Sequence, residues 1–427
     1  VPGQYDRRVV RRTLGRGFGW LWGAYAVSAF GTRLAFDAFP LITVLVLHAG
    51  PAEVAALAAV GPAVGAALAV PLGPWVEFRR KRPVMIAADL VRCVALLSVP
   101  VAFALGGLGF WQLLLVSVVV AAADITFTAA SGAFLKWLVP PEDLLVANGR
   151  FESTTWTATM LGPPLGGAAV GVFGPVVTVT VDAVSYLLSA AGLRAVGGHE
   201  PRPVGGPRRL APGELLAGWR HLLTHRALRP LFLNALLVNG LIMAVAPPLA
   251  VLMLGPLGFA PWQYGLAFAV PCVGGLIGSR LAPRLVARYG RRRVLRAAGT
   301  LRACWPLGLA FVRPGPAGLV LVMVVELGLI TCIGVFNPVM ATARLELTPA
   351  DRVTRTLSAW SVSSKAAIAS LTALWGVLAA LAGTRAALAL AGVLLLATPP
   401  LLFATGLGRA VTEEDAGRGG RRLDVSG

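Results

Sequence analysis

Apolar residues run along this chain in long blocks, and the polar residues between them are clustered. Reading each block between its breakers predicts twelve helices, spans 1 to 12. They cover residues 19 to 47, 51 to 76, 83 to 105, 109 to 134, 148 to 172, 175 to 196, 229 to 254, 261 to 285, 294 to 312, 317 to 341, 355 to 381 and 385 to 406. Stretches of about 20 apolar residues match a hydrocarbon core about 30 Å thick. A helix also satisfies its own backbone in lipid, so the pattern predicts an all-α membrane protein.

Composition sharpens this reading. Of the 427 residues, 56% are hydrophobic and 13% charged, against about 25% charged in an ordinary soluble domain. A soluble globule is excluded. The 50 Gly and 31 Pro lie mostly inside apolar segments, where neighbouring helices tolerate small residues and kinks. Cys93, Cys272, Cys304 and Cys332 stand far apart in apolar runs with no CxxC spacing, the pattern of small buried hydrophobes rather than of disulfides or zinc.

The net charge of +19 matters through its placement. Arg7, Arg8, Arg11, Arg12 and Arg16, the run Arg79-Arg80-Lys81-Arg82 and the cluster at 280 to 296 all fall on one side if both termini are cytoplasmic. Arg313 and Arg385 fall on the other side. The positive-inside rule then predicts a multi-pass protein of the cell membrane with both termini in the cytoplasm. Basic loops in that position meet anionic lipid, and no nucleic-acid partner is expected.

The chain also repeats itself. A shift of 209 residues pairs Leu57 with Leu266, Pro62 with Pro271, Gly65 with Gly274 and Pro74 with Pro283. One further step pairs Arg82 with Arg292, Val84 with Val294 and Arg92 with Arg302. A shift of six helices keeps the two copies in the same orientation, related by an axis along the membrane normal. The expected domains are an N-terminal six-helix bundle at 1–196, a connector at 197–228 with an amphipathic stretch from Glu214 to Arg226, a C-terminal six-helix bundle at 229–406, and a disordered cytoplasmic tail at 407–427.

These residues resemble the major facilitator superfamily, and within it the twelve-span drug and siderophore exporters of the proton-antiport type. After span 2 that family carries G-x-x-x-D-R-x-G-R-R, which Gly73, Glu77, Lys81 and Arg82 match with Glu for Asp; Phe78 and Arg80 depart from it. The second-half copy keeps Arg288, Gly290, Arg291 and Arg292 and lacks the acid. The resemblance implies a cytoplasmic latch whose carboxylate and guanidinium groups pair across the halves when the inner gate is shut. Arg79 belongs to the same loop. Asp89, Arg92 and Arg302, near the ends of spans 3 and 9, read as its relay.

Span 5 carries the exporters' Gly-rich pattern at Gly149, Gly162, Pro163, Gly166 and Gly167, with Ala158 where a Gly is expected. Gly at these spacings lets helices approach closely and Pro permits a bend.

Ionisable groups within spans need a partner, a wet cavity or a proton, because burying a charge at the bilayer centre costs at least about 2.5 kcal/mol. Arg33 and Asp37 share a face of span 1. Asp124, Glu326 and Lys365 sit near the middles of spans 4, 10 and 11. In the resembling family spans 1, 4, 7 and 10 line the central cavity, which puts Asp37, Asp124 and Glu326 on the transport path. Asp37 and Asp124 are the leading proton carriers, with Arg33 and Lys365 as counter-charges; the alternative is a static ion-pair network that stiffens the bundle.

His221 and His225 share a face of the connector, but two ligands do not make a metal site. No Walker loop offers a phosphate cradle. No cofactor is therefore expected, and the energy source is the proton gradient. The expected function is proton-coupled export, by a monomer, of a lipophilic small molecule such as a drug, antibiotic or siderophore-like metabolite. Asn234 and Asn239 in span 7 support the alternative of a solute importer. A membrane enzyme or sensor would need a clustered His/Asp/Cys site or a soluble output domain, and the sequence shows neither.

Overall fold

The computed structural model describes residues 14–35, 38–47, 51–197, 200 and 216–403. Among them the regular elements are helical and no strand occurs. They follow the spans in order. Span 1 is Gly15–Leu34 and Ala38–Leu45, span 2 Pro51–Glu77, span 3 Lys81–Ala104, span 4 Phe110–Leu138, span 5 Leu144–Phe173 and span 6 Pro175–Ala195. Ala217–Thr224 forms the connector helix. Span 7 is Leu228–Leu254, span 8 Pro261–Ala269 and Cys272–Tyr289, and span 9 Arg291–Cys304 followed by the 3-10 turn Pro306–Phe311. Span 10 is Pro316–Glu346, span 11 Val353–Ala382, and span 12 Thr384–Leu396 with Pro400–Phe403. The predicted tail at 407–427 and most of the predicted connector lie outside the described residues.

Four spans read as continuous helices are interrupted. Pro271 breaks span 8, Pro306 turns span 9 into a 3-10 segment, and Pro399-Pro400 breaks span 12, because proline lacks the N–H and crowds the preceding turn. Span 1 likewise consists of two helices. Two other boundaries move in a way that affects the site. Span 5 begins four residues earlier than expected, and span 10 runs on to Glu346. The span 10 extension carries Arg344 and Glu346 into the bundle.

The duplication is visible in the packing. In the first half span 2 packs on 4, span 3 on 6, and span 1 on 5 and 6; in the second half span 8 packs on 10, 9 on 12, and 7 on 11 and 12. Between halves, span 5 meets 8 and 10, while span 11 meets 2 and 4. Each between-half contact is the repeat image of another, as a pseudo-two-fold axis requires. Span 5 is polar for this reason. Ser153 Oγ meets Ser279 Oγ of span 8 at 2.7 Å, while Thr154 accepts from Trp22 Nε1 at 2.9 Å and Thr155 meets the Tyr25 hydroxyl at 2.7 Å. Its hydroxyls face protein rather than lipid. Outward positions such as Val94, Leu105, Val172 and Leu381 are exposed and apolar, the inverse of a soluble surface.

The two ends of the bundle differ. At the end bearing the Arg-rich loops, one apolar cluster joins Val76, Phe127 and Phe134 of the first half to Leu345, Val353 and Leu357 of the second. At the opposite end the cores are separate, one around Ile42, Leu96 and Val179 and another around Leu249, Val322 and Leu388. The halves are therefore sealed together at the basic end.

Candidate functional site: a charged layer at the seam

Asp124 sits at the middle of span 4 and joins the halves. Lys365 Nζ, from the middle of span 11, donates to Asp124 Oδ2 at 3.0 Å, and Arg92 Nη1 lies 3.7 Å from Asp124 Oδ1. The Asp124 and Lys365 side chains are 48% and 37% exposed, whereas Arg92 is 4% exposed. A pair bridging spans 4 and 11 lies on the seam, so water reaching the cleft reaches this pair.

Behind Asp124 the network continues into the first half. Arg92 pairs with Asp89 at 2.5 Å, and Ser189 Oγ donates to the other Asp89 oxygen at 2.7 Å. The Arg92 guanidinium lies between two aromatic rings, 4.6 Å from Phe127 and 4.2 Å from Tyr186. The Tyr186 hydroxyl is 2.8 Å from Thr32 Oγ1, which also donates to Asp182 at 3.2 Å. Spans 1, 3, 4 and 6 thus share one polar chain, buried at Asp89, Arg92 and Tyr186, with a carboxylate at each end. Such a chain is stable only when each member has its partners. Asp89 and Arg92, read from sequence as a relay of the loop latch, are placed here, and among the described residues neither pairs with Glu77, which pairs with Arg355. Asp182, which the sequence left without a role, terminates the chain.

A second carboxylate went unnoticed in the sequence. Glu152 of span 5 accepts from Trp156 Nε1 at 2.9 Å and, across the seam, from Asn337 Nδ2 of span 10 at 2.8 Å. The span boundary drawn at 148 put Glu152 at an edge; its neighbouring hydroxyls were the available signal that this stretch is enclosed by protein. Glu326 is buried in span 10 and has no hydrogen bond or ion pair among the described residues. It stands beside the break in span 8, close enough to act electrostatically on Tyr264 and Cys272. Arg33 is half-buried on span 1 and also acts on Cys272. Asp37 lies outside the described residues.

At the basic end the loop residues divide their work. Glu77 pairs with Arg355 at the start of span 11, both largely buried, so this carboxylate ties the halves. Lys136 at the end of span 4 makes a second tie, donating to the carbonyls of Leu345, at 2.5 Å, and Thr348. Gly73 lies against Ser358 of span 11. The remaining motif cations hold their own half. Lys81 Nζ donates to the carbonyls of Glu77 at 2.6 Å and Arg79 at 2.8 Å, capping span 2, and Arg82 Nε donates to the Leu193 carbonyl of span 6 at 2.9 Å. Arg79 lies over the Trp75 ring. In the second half Arg291 pairs with Glu346, Arg288 lies over Tyr289, and Gly290 turns the chain at φ +81°. Arg292 is exposed in the same turn. Arg302 lies deeper, in span 9, and donates to Asn234 at 2.7 Å.

The Gly-rich pattern of span 5 serves two contacts. Gly149 faces span 8, where a Cβ would stand 3.1 Å from the Ser279 carbonyl. Gly162 and Gly166 face span 1, where a Cβ would overlap the backbone of Arg33 and Leu34. Pro163 and Gly167 lie between and beyond, with Gly167 facing open space. The connector docks on span 11 through Trp219 Nε1, which donates to Ser363 at 2.8 Å, and His225 Nδ1 accepts the N–H groups of Ala227 and Leu228 at the start of span 7.

Comparison with known proteins follows the same lines. The family model of the Major Facilitator Superfamily matches residues 21–343. Multidrug efflux pump Tap of Mycobacterium tuberculosis (strain ATCC 25618 / H37Rv) is 28% identical over 319 residues, 71% of this chain and 74% of the relative. Multidrug efflux pump Tap of Mycolicibacterium fortuitum is 26% identical over 340 residues, 75% of this chain and 80% of the relative. Among solved structures, a bacterial homologue of the iron transporter ferroportin in an outward-facing state superposes with a TM-score of 0.77 at 18% identity, covering 91% of this chain and 99% of that one.

Proposed function

The chain belongs to the Major Facilitator Superfamily, and from that premise we propose that it exports a lipophilic small molecule in exchange for protons. The observation that carries this reading is the Asp124–Lys365 pair, an ion pair across the seam at mid-membrane depth whose carboxylate water can reach. A proton on Asp124 removes its attraction for Lys365 and loosens a tie between the halves; loss of the proton restores it. Similarity to multidrug efflux pumps named Tap supports the outward direction. The apolar spans suit a hydrophobic cargo better than a sugar, whose hydroxyls require many polar partners.

The remaining parts fit the same cycle. With the basic end in the cytoplasm, Glu77–Arg355 and the Lys136 carbonyl ties form the inner latch in its shut position, and the cleft faces outward. Opening inward requires both ties and the Glu152–Asn337 bond to part. Each proton returned down the gradient supplies about 2.3 kcal/mol per 100 mV and about 1.36 kcal/mol per pH unit. The transporter works as a monomer, since the seam and all its charges lie within one chain.

Asp124→Asn is the decisive variant. In inside-out vesicles energised by an acid interior, the wild type accumulates a lipophilic dye, and Asp124→Asn loses gradient-driven accumulation while retaining passive exchange across the vesicle. Undiminished accumulation by Asp124→Asn defeats the proton assignment. Movement of dye only out of these vesicles defeats the export direction.

A further inference from the structure

The repeat places Arg302 where Arg92 stands in the first half, yet the acids of the first half are missing around it. The 210-residue shift that pairs the arginines puts Gly299 opposite Asp89, and the 209-residue shift that pairs Phe127 with Phe336 puts Ile333 opposite Asp124. Arg302 is 1% exposed. Its guanidinium lies 3.6 Å over Phe336 and donates to Asn234, and its Nε is sealed without a partner. A second, half-buried arginine is close by. Arg344, brought into the bundle by the extended end of span 10, lies 4.7 Å over the Trp360 ring, and its Nε is also sealed without a partner. Neither arginine has an ion pair among the described residues.

Both line one cavity of about 210 Å³, together with Asn239, Asn337, Trp360 and, across the seam, Glu152. Removing a guanidinium from water without a counter-charge costs several kcal/mol. An amide oxygen and two ring faces return part of that. Glu152 does not complete the balance, because its bonded oxygen is held by Trp156 and Asn337 and it pairs with neither arginine. With two guanidinium groups against one carboxylate, the cavity has a net positive, aromatic-walled interior. Its volume is below the roughly 300 Å³ at which whole-ligand pockets begin, so it suits a head group and not an entire drug-sized molecule.

We propose that this cavity is the seat of an anionic head, a carboxylate, sulfonate or phosphate, of the exported molecule, whose apolar body lies along the Trp360 ring and the seam. This deepens the export reading above and rests on it. Access comes with the cycle. The Glu152–Asn337 bond crosses the seam at the cavity wall in this conformation, and separation of spans 5 and 10 widens the cavity toward the basic end. Closure gives the Asn337 amide to Glu152 and withdraws a donor from the anion, which favours release as the cleft turns to the opposite side.

The test uses two fluorescent probes with the same aromatic skeleton, 8-anilinonaphthalene-1-sulfonate and the uncharged N-phenyl-1-naphthylamine. Full-length protein in nanodiscs is titrated with each, and binding is read by energy transfer from tryptophan. Arg344→Gln and Arg302→Gln are each expected to weaken the sulfonate by about tenfold or more and to leave the uncharged probe unchanged, with Arg344→Lys retaining most of the affinity and guarding against misfolding. An unchanged ratio between the probes in both Gln variants overturns the site. Chloride and inorganic phosphate are then offered as competitors in proteoliposomes. Gradient-driven movement of the sulfonate in chloride-free, phosphate-free medium supports a head-group site, whereas a requirement for either ion assigns the cavity to an inorganic co-ion and overturns the proposal. If neither probe moves under a gradient, the export reading fails, while the equilibrium titration still decides whether the cavity binds anions.

Discussion

The two halves carry equivalent arginines, Arg92 in span 3 and Arg302 in span 9, each stacked on an equivalent phenylalanine, in opposite electrostatic surroundings. Arg92 has Asp89 and Asp124 beside it and is part of a continuous chain ending at Asp182. Arg302 has an asparagine, a ring face and a neighbouring unpaired arginine. Duplication preserved the helix packing and the cation, while the acids were kept in one copy alone. Architecture and charge separate in this way because helix packing depends on shape along a whole face, whereas a charge balance is altered by one residue. On the reading proposed above, the first half holds and releases the proton and the second receives negative charge.

Loss of Asp124, with its complete loss of driven transport, is the largest effect expected from breaking this comparison. Next comes stability. Arg92→Met leaves Asp89 buried without its counter-charge and is expected to cost about 3 to 5 kcal/mol, read as a lowered unfolding midpoint in detergent. Arg302→Met removes a cation that has no acid, so the cost is smaller, about 1 to 3 kcal/mol, that of leaving the buried Asn234 oxygen without its donor. Equal losses in the two variants would show that the halves are electrostatically alike after all.

A smaller contrast lies in the seams. Gly166 of span 5 and its repeat partner Gly376 of span 11 differ in surroundings: a Cβ at Gly166 overlaps the Leu34 backbone, while a Cβ at Gly376 meets nothing within 4 Å. Gly166→Ala is expected to cost about 1 to 3 kcal/mol in the same unfolding assay, whereas Gly376→Ala costs nothing and gains up to about 1 kcal/mol from helix propensity. A neutral Gly166→Ala would mean that spans 1 and 5 are not held at backbone distance.

The smallest effect concerns the connector between the halves. Burial holds the His221 imidazole below its ordinary value, with further lowering by His225 and Arg352, and burial lowers His225 as well. The folded protein therefore binds fewer protons there than the unfolded chain. Stability from this pair is fully present above the ordinary imidazole value and is lost as pH falls through the depressed values. A shallow fall of the unfolding midpoint on acidification follows, and a double variant, His221→Gln with His225→Asn, flattens it. An unaltered slope in that variant assigns the fall to carboxylates instead.

Much of the site was legible as a list of residues and little of it as an arrangement. Asp124 and Lys365 stand out because an ionisable group in the middle of an apolar block has no other explanation than a partner or a cavity. That they are each other's partner depends on spans 4 and 11 meeting at equal depth, which no local pattern encodes. Asp89 and Arg92 were grouped with Glu77 because they are near in sequence and near a loop; one helix face carried them into the centre instead, while Glu77 found Arg355 on the other half. Arg344 was missed because the apolar block of span 10 was trimmed at 341, where polar residues began, and Glu152 was passed over because it sits in the polar first turns of span 5, near the edge drawn at 148. Those polar ends are helical and enclosed by the opposite half, so polarity there marked the seam rather than the membrane boundary.

By itself the sequence determined the solvent, the number and order of the spans, and the duplication, since all three follow from where apolar runs lie and how they recur. The tertiary structure decided which end is sealed, which charges neutralise one another and which are left facing a cavity. Those outcomes turn on distances of a few ångströms between helices far apart in the chain, and over such distances in a low-dielectric interior the energy of a charge changes by more than any local preference can set.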